Sequence, residues 1–437
     1  MQMPPEHTDQ HSSSDFLSPI LWKHQQFYWL VFSACCLVTL AVRYPLGLHH
    51  ATLWAEDGIW YQNAYQYGWS SLLLPHVGYL QTASRIGALL AQPLPLGNVP
   101  FFFAVIALLI QAAPAIYVAS SRFAPLVPDW RIRFLLGGFL ITMPYGFEEF
   151  VILTNTQWHL ALLSFLIVIA PPTVTTSGGL VESCCLAIAG LSGPFSILLT
   201  PFAAYERWQR KDTAARRRLI IIGASALIQF GFLMVFHHTR TLPAPLGASI
   251  SGFFKIVSVQ IFIGGLAGFH GAVWISRQAW WADSSLLPFI VTVSGLFLLA
   301  IAAKAGSPTF RKLLAFAILM LTVAIISPLA AKVEPQWQAL ARPGIGGRYY
   351  MMPILAWFAA LLVVALQARQ RLIRLVGMLL LSTSLIGIVL DWRYPDMLIV
   401  SPAGFSDSVA RFQNAAPGKV ISFPIRPPGW NMWLQKK

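Results

Sequence analysis

Acidic residues are scarce in this sequence: 16 Asp and Glu in 437 positions, against 30 Lys and Arg. Charges of both signs make up only 11% of the chain, while 56% is hydrophobic, too few for a water-soluble domain of this size to cover its surface. Cysteine is rare as well. The four residues form two adjacent pairs, Cys35-Cys36 and Cys184-Cys185, inside apolar runs. They lack the spacing of a zinc site or a redox pair and read as packed or lipid-facing thiols. Neither a Walker A nor a Rossmann glycine pattern occurs, so a nucleotide donor has no support. The net charge of +14 does not point to nucleic acid, because Lys and Arg fall in short clusters between apolar stretches. No internal repeat of about 20 to 50 residues stands out.

Long apolar runs dominate what is present. With a mean hydropathy of +0.63, the chain reads as an all-α polytopic membrane protein, since lipid obliges each backbone group to find its partner within a helix. Runs at 27–45, 98–119, 133–147, 158–171, 180–192, 193–205, 218–236, 285–303, 312–329, 350–367 and 372–390 predict about eleven transmembrane helices. Those between 158 and 205 are short and interrupted by Pro171-Pro172, Gly190, Gly193 and Pro194, which leaves a re-entrant hairpin as an alternative there. The polar start, with Glu6, Asp9 and Asp15, is followed by no small-residue cleavage site, and a retained first helix is expected. The organisation is then an N-terminal tail (1–26), a transmembrane domain (27–390) and a C-terminal tail (391–437).

Basic residues near span ends are held in the cytoplasm. Arg122, Arg131 and Arg133, then Arg207 to Arg218, then Lys304, Arg311 and Lys312, then Arg369, Arg371 and Arg374 all fall on one side of the expected spans. That side is cytoplasmic, with the N-terminus. The other side receives the loop 46–97, the segment 148–159, the stretch 237–284, the loop 330–349 and the C-terminal tail. Within loop 46–97, residues 57–74 and 79–90 have the content of helices lying at the interface.

With so few acids, each one near the membrane needs a reason. Glu56 and Asp57 stand in Leu53-Trp54-Ala55-Glu56-Asp57-Gly58-Ile59-Trp60, among apolar and aromatic side chains. Partial desolvation suits a carboxylate there to general-base work or to holding a cation. The structural alternative, compatible with it, is a helix cap at Asp57. Glu148 and Glu149 form a second pair on the same face, followed by Asn155, Gln157 and His159, which either position a ligand or cap and pack the next helix. Arg85, Arg342 and Arg348, the last followed by Tyr349, bring positive charge to this face. A planar guanidinium beside glycines suits a phosphate, or it anchors a helix to lipid headgroups. The tail 421–433, rich in Pro and Trp, is an interfacial anchor or a strip covering the site.

In the acidic Glu56-Asp57 of the first outer loop with its two interfacial helices, the second acidic pair Glu148-Glu149, and the late arginine loop from Arg342 to Tyr350, the chain resembles the GT-C superfamily of membrane glycosyltransferases. The chain lacks the large soluble C-terminal domain of better known members. The resemblance implies a polyprenyl-phosphate-linked sugar as donor, a glycan, lipid or protein as acceptor, and an inverting transfer at the outer, periplasmic face of a bacterial inner membrane. It casts Asp57, with Glu56, as the base. Arg348, Arg85, Arg342 and Tyr349 would hold the donor phosphate, and Glu148, Glu149, Asn155, Gln157 and His159 would position the acceptor or a metal. No cofactor is called for beyond an optional divalent cation. The rival expectation is a transporter or flippase for a lipid-linked or other amphiphilic substrate, in which the same charges line a pathway.

Overall fold

Runs of Leu, Ile, Val, Phe and Ala with no polar partner nearby can satisfy their backbone only by local i to i−4 bonding, and helices follow from that. The computed structural model describes residues 18–49, 51–239, 244–393 and 402–437; most of the polar N-terminal tail lies outside this range. The helices are α1 (Ser18–Arg43), α2 (Ala55–Tyr67), α3 (Thr82–Leu90), α4 (Val99–Ala119), α5 (Trp130–Thr142), α6 (Thr156–Ile169), α7 (Thr176–Gly190), α8 (Phe195–Arg210) and α9 (Thr213–Val235). After these come α10, a composite over Ile250–Ser276, then α11 (Leu286–Ala305), α12 (Pro308–Ile326), α13 (Met351–Gln367), α14 (Arg371–Leu390) and α15 (Pro402–Gln413). Among the described residues, eight helices are long and apolar enough to cross a membrane. The chain is a multi-pass, mostly helical membrane protein.

The two ends of the bundle differ in chemistry. At one end Arg122 and Arg218 both pair with Glu182, at 2.6 and 2.7 Å, Arg210 and Arg218 donate to the carbonyl of Ala170, and Lys312 pairs with Glu206. Helices α5, α7, α9 and α12 start here, each on a side-chain cap from Asp129, Thr175, Asp212 or Ser307, which satisfies first-turn donors left open by helix geometry. At the other end Ser192 and Gly193 meet Leu80 to Ala83. Helices α6, α7 and α8 therefore run from one end to the other, and the alternative of a re-entrant hairpin within 158–205 is not what forms. Helix α6 is buried along its whole length and α13 along most of it, so these two are the axis of the core.

Composition makes α10 a candidate crossing helix, and besides a bond from Thr292 within α11 to the Phe254 carbonyl at 3.2 Å it makes several polar contacts at the second end. Leu246, just before it, accepts from Trp337 N–H at 3.0 Å, Gln260 Nε2 donates to the carbonyl of Arg342 at 2.9 Å, and past the break at Gly268 (φ +70°) His270 bonds Asp391. The stretch read from sequence as a connection thus contains an apolar helix, long enough to be a span by length and composition, and the bonds of Leu246, Gln260 and His270 tie it to segments of this one end.

The loop before α4 contains α2 and α3, close to the expected interfacial helices. The C-terminal tail brings strand to a fold expected to be all-α: β1 (Val420–Ile425) pairs antiparallel with β2 (Trp430–Gln435). Phe423, Ile425, Met432 and Leu434 are buried against α2, α15 and their neighbours, while Trp430 and Trp433 are exposed. Arg426 closes the contact, exchanging backbone bonds with Leu53 and Ala55 and donating to Tyr44 and to the carbonyl of Thr52. The tail is a packed hairpin over α2, with Trp430 and Trp433 on its exposed side.

Candidate functional site

The connection between α5 and α6, residues 143–155, organises this end. It is buried, and its backbone groups are satisfied by side chains from distant segments, as buried peptide groups require. Tyr145 N–H donates to Asp391 Oδ2 at 2.8 Å, Val151 N–H to Gln111 Oε1 at 2.9 Å and Thr154 N–H to Asp57 Oδ1 at 2.8 Å. Tyr145 Oη meets Gln260 and Gly344. Ala55, Tyr145 and Val151 all have positive φ, at +27°, +71° and +51°. That conformation is costly for L side chains, above all for β-branched Val151, and persists only where the surroundings enforce it.

Asp57 is the third residue of α2, whose N-cap is Trp54, so the expected cap at Asp57 is corrected to a first-turn position. Its side chain is 3% exposed. Burial pushes its pKa up to about 7 against the opposing pull of N–H groups on Thr154 and Trp54. Half-buried Glu56 beside it is also pushed up by burial, and it senses both Arg348 and Glu148. The two acidic pairs expected from sequence thus converge. Glu149 is 2% exposed with both carboxylate oxygens unpartnered; burial and then the charge of Glu148 push it up to about 8, so it carries its proton at neutral pH.

The cations divide into two kinds. Arg348 is ion-paired to Glu148 and also donates to Tyr349 Oη at 3.2 Å and to the Leu329 carbonyl at 3.3 Å. Arg342 sits at the surface, paired with Glu334. Among the described residues Arg85, 1% exposed, has no carboxylate paired with it, and its Nε and Nη1 find no hydrogen-bond partner. Its guanidinium lies 4.6 Å from the Trp60 ring centroid, whose Nε1–H donates to Thr154 Oγ1 at 3.1 Å. His76 meets the same indole edge-on at 4.9 Å; burial and then Arg85 lower its pKa to about 4, so it is neutral and adds no competing charge.

The remaining expected residues fall nearby. Asn155 gives its amide to the Glu148 carbonyl at 2.8 Å instead of capping α6. Gln157 Oε1 and His159 Nδ1 are buried on α6 without partners, Gln157 so close to Gly193 that a Cβ there would come within 2.5 Å. Helices α2, α3, α6, α8 and α13 all begin at this end without a side-chain cap, leaving first-turn N–H groups and the positive ends of their dipoles here. Among the described residues no three His, Cys, Asp or Glu side chains gather as a metal site.

Tyr145, Gln111, Gln260, Thr154, His270 and Asp391 were not singled out from sequence. Lone amides within apolar runs, as at Gln111 and Gln260, and an acid directly after the last run, as at Asp391, were the available signals. No family model matches the chain, and no curated protein is similar enough to be matched to it.

Proposed function

We propose that the protein is a membrane glycosyltransferase that moves a sugar from a polyprenyl-phosphate carrier to a glycan, lipid or protein acceptor at the outer face of a bacterial inner membrane. In this reading the basic end is cytoplasmic, α10 lies along the outer side, and the body crosses the bilayer eleven times. The observation that carries it is the chain of contacts that joins a buried carboxylate of pKa about 7, Asp57, through Thr154 and Trp60 to Arg85, a buried cation with no carboxylate partner among the described residues.

A buried guanidinium is costly unless an anion completes it. Arg348 is already neutralised by Glu148, so the donor phosphate belongs to Arg85, and Arg348 holds the connection in place. Asp57, half ionised near neutral pH, takes the proton of the acceptor hydroxyl. That oxygen bonds to the anomeric carbon as the carbon–oxygen bond to phosphate breaks. The electron pair leaves on the phosphate oxygen facing Arg85, and direct displacement inverts the anomeric centre. Protonated Glu149 offers an O–H donor to a sugar hydroxyl, and Gln157 an acceptor.

The test reconstitutes the full-length protein in liposomes with labelled polyprenyl-phosphate sugars and cell-envelope acceptors. Wild type should form a glycosylated product while Arg85→Met does not. Movement of the labelled lipid between leaflets with no bond made or broken would replace the transferase reading with the transporter.

A further inference from the structure

A second feature lies away from the carboxylates. An apolar groove of about 290 Å³ opens between α5, α6, α12 and α13, walled by residues such as Ile132, Leu136, Leu162, Phe165 and Leu362. Its lining along α13 reaches from Leu355 to Gln367, about 18 Å at the rise of an α-helix. That is close to the ~15 Å hydrocarbon depth of a single leaflet.

Its mouth, at the basic end, is polar, with Asp129, Ser307, Thr309 and Gln367. Exposed basic residues flank each of these along the chain: Arg131 after Asp129, Lys304 and Arg311 around Ser307 and Thr309, and Arg369 after Gln367. Fully buried Arg133 donates to the carbonyls of Val127 and Pro128, both on the groove wall, at 2.8 and 2.9 Å, and its Nε and Nη2 have no partner. The one acid at the mouth, Asp129, is engaged as the cap of α5, accepting from Arg131 N–H at 2.8 Å.

We propose that this groove is a binding site for an anionic phospholipid, one acyl chain lying between α5 and α13 and the phosphate at the basic mouth. Water would find too few partners along its aliphatic walls, whereas a hydrocarbon chain restores the contacts that the void lacks. The exposed Arg131, Lys304, Arg311 and Arg369, close in sequence to the polar lining residues, select a net-negative headgroup over a zwitterionic one. The site sits at the end opposite Asp57, and its existence does not depend on the transferase reading.

In the test, the full-length protein is stripped of lipid in detergent and titrated with phosphatidylglycerol or phosphatidylcholine, bound copies being counted by native mass spectrometry. One saturable phosphatidylglycerol site is expected, with phosphatidylcholine about tenfold weaker. Ala359→Trp, which fills the groove, should abolish it, and the pair Arg131→Gln and Arg369→Gln should bring phosphatidylglycerol down to the phosphatidylcholine level. Leu136→Trp fills the half-buried wall from the other side and replaces Ala359→Trp if that variant fails to fold. Undiminished phosphatidylglycerol binding in the folded groove-filled variant, or equal affinity of wild type for the two lipids, overturns the proposal.

Discussion

Taking a guanidinium out of water costs several kcal/mol when no counter-ion replaces the solvent, and Arg85, beside the face of Trp60 and neutral His76, has no ion-pair partner among the described residues. A ligand that supplies the missing charge turns that cost into affinity. Arg85→Met should accordingly raise the melting temperature, by about 2 to 4 °C, while binding of a polyprenyl phosphate, read by isothermal titration, falls at least about tenfold. A drop in both would mark Arg85 as structural. Glu149 carries the opposite kind of strain: folded, its pKa is raised to about 8, and unfolded it returns to about 4.3. The folded state then binds more protons across that window, so this group's contribution to stability is full below about pH 4 and is lost as pH rises through about 8. Asp57, raised to about 7, acts with the same sign. Thermal scans should therefore show wild type losing stability between pH 6 and pH 9, and Glu149→Gln losing less over the same range.

Among the elements, the connection 143–155 and the C-terminal hairpin place the site, and neither was visible as such in the sequence. Gly58 faces the hairpin so closely that a Cβ would come within 2.7 Å of Ile425 Cδ1 and 3.1 Å of Met432 Cβ. Gly58→Val should lift the hairpin off α2, seen as trypsin cleavage after Lys419 accelerating by about tenfold or more while the helical circular dichroism of the bundle is kept. Unchanged cleavage would show that the hairpin is held by other contacts. The long helices were legible because run length and hydropathy decide them. The hairpin carried its signal in the alternation of Ile421, Phe423 and Ile425 about a Pro428-Gly429 turn, but Pro424 within the strand and the abundance of aromatics pointed elsewhere. The acidic pairs were legible because carboxylates are rare here. Their supports, Gln111, Gln260 and Asp391, reach the connection from as far as 246 residues away in sequence, and periodicity carries no trace of such contacts. Apolar α10 shows the same limit: it was read as part of a connection although its composition fits a crossing, and its bonds to Leu340, Arg342 and Asp391 leave no trace in periodicity.

At the scale of the whole molecule, the two ends differ in chemistry: at the basic end four helices start on side-chain caps, and at the other five start without one, beside buried acids and Arg85, which has no carboxylate partner among the described residues. The orientation proposed for these ends is testable on its own. Reporter tags should be cytoplasmic at the N-terminus and external at the C-terminus, where impermeant reagents reach a tag after Lys437; the inverse labelling would put the site on the cytoplasmic face and remove its access to outward-facing lipid-linked sugars. The central claim is that Asp57 takes the acceptor proton during glycosyl transfer. Single-turnover release of polyprenyl phosphate from a polyprenyl-phosphate sugar measures that step, followed from pH 5 to 9 for wild type and for Asp57→Asn in the presence of acceptor. The account predicts a wild-type rate that climbs to a plateau about an apparent pKa near 7, and a folded Asp57→Asn protein slower by about 100-fold or more at the plateau. Equal rates for the two proteins, or a flat wild-type profile, would contradict it.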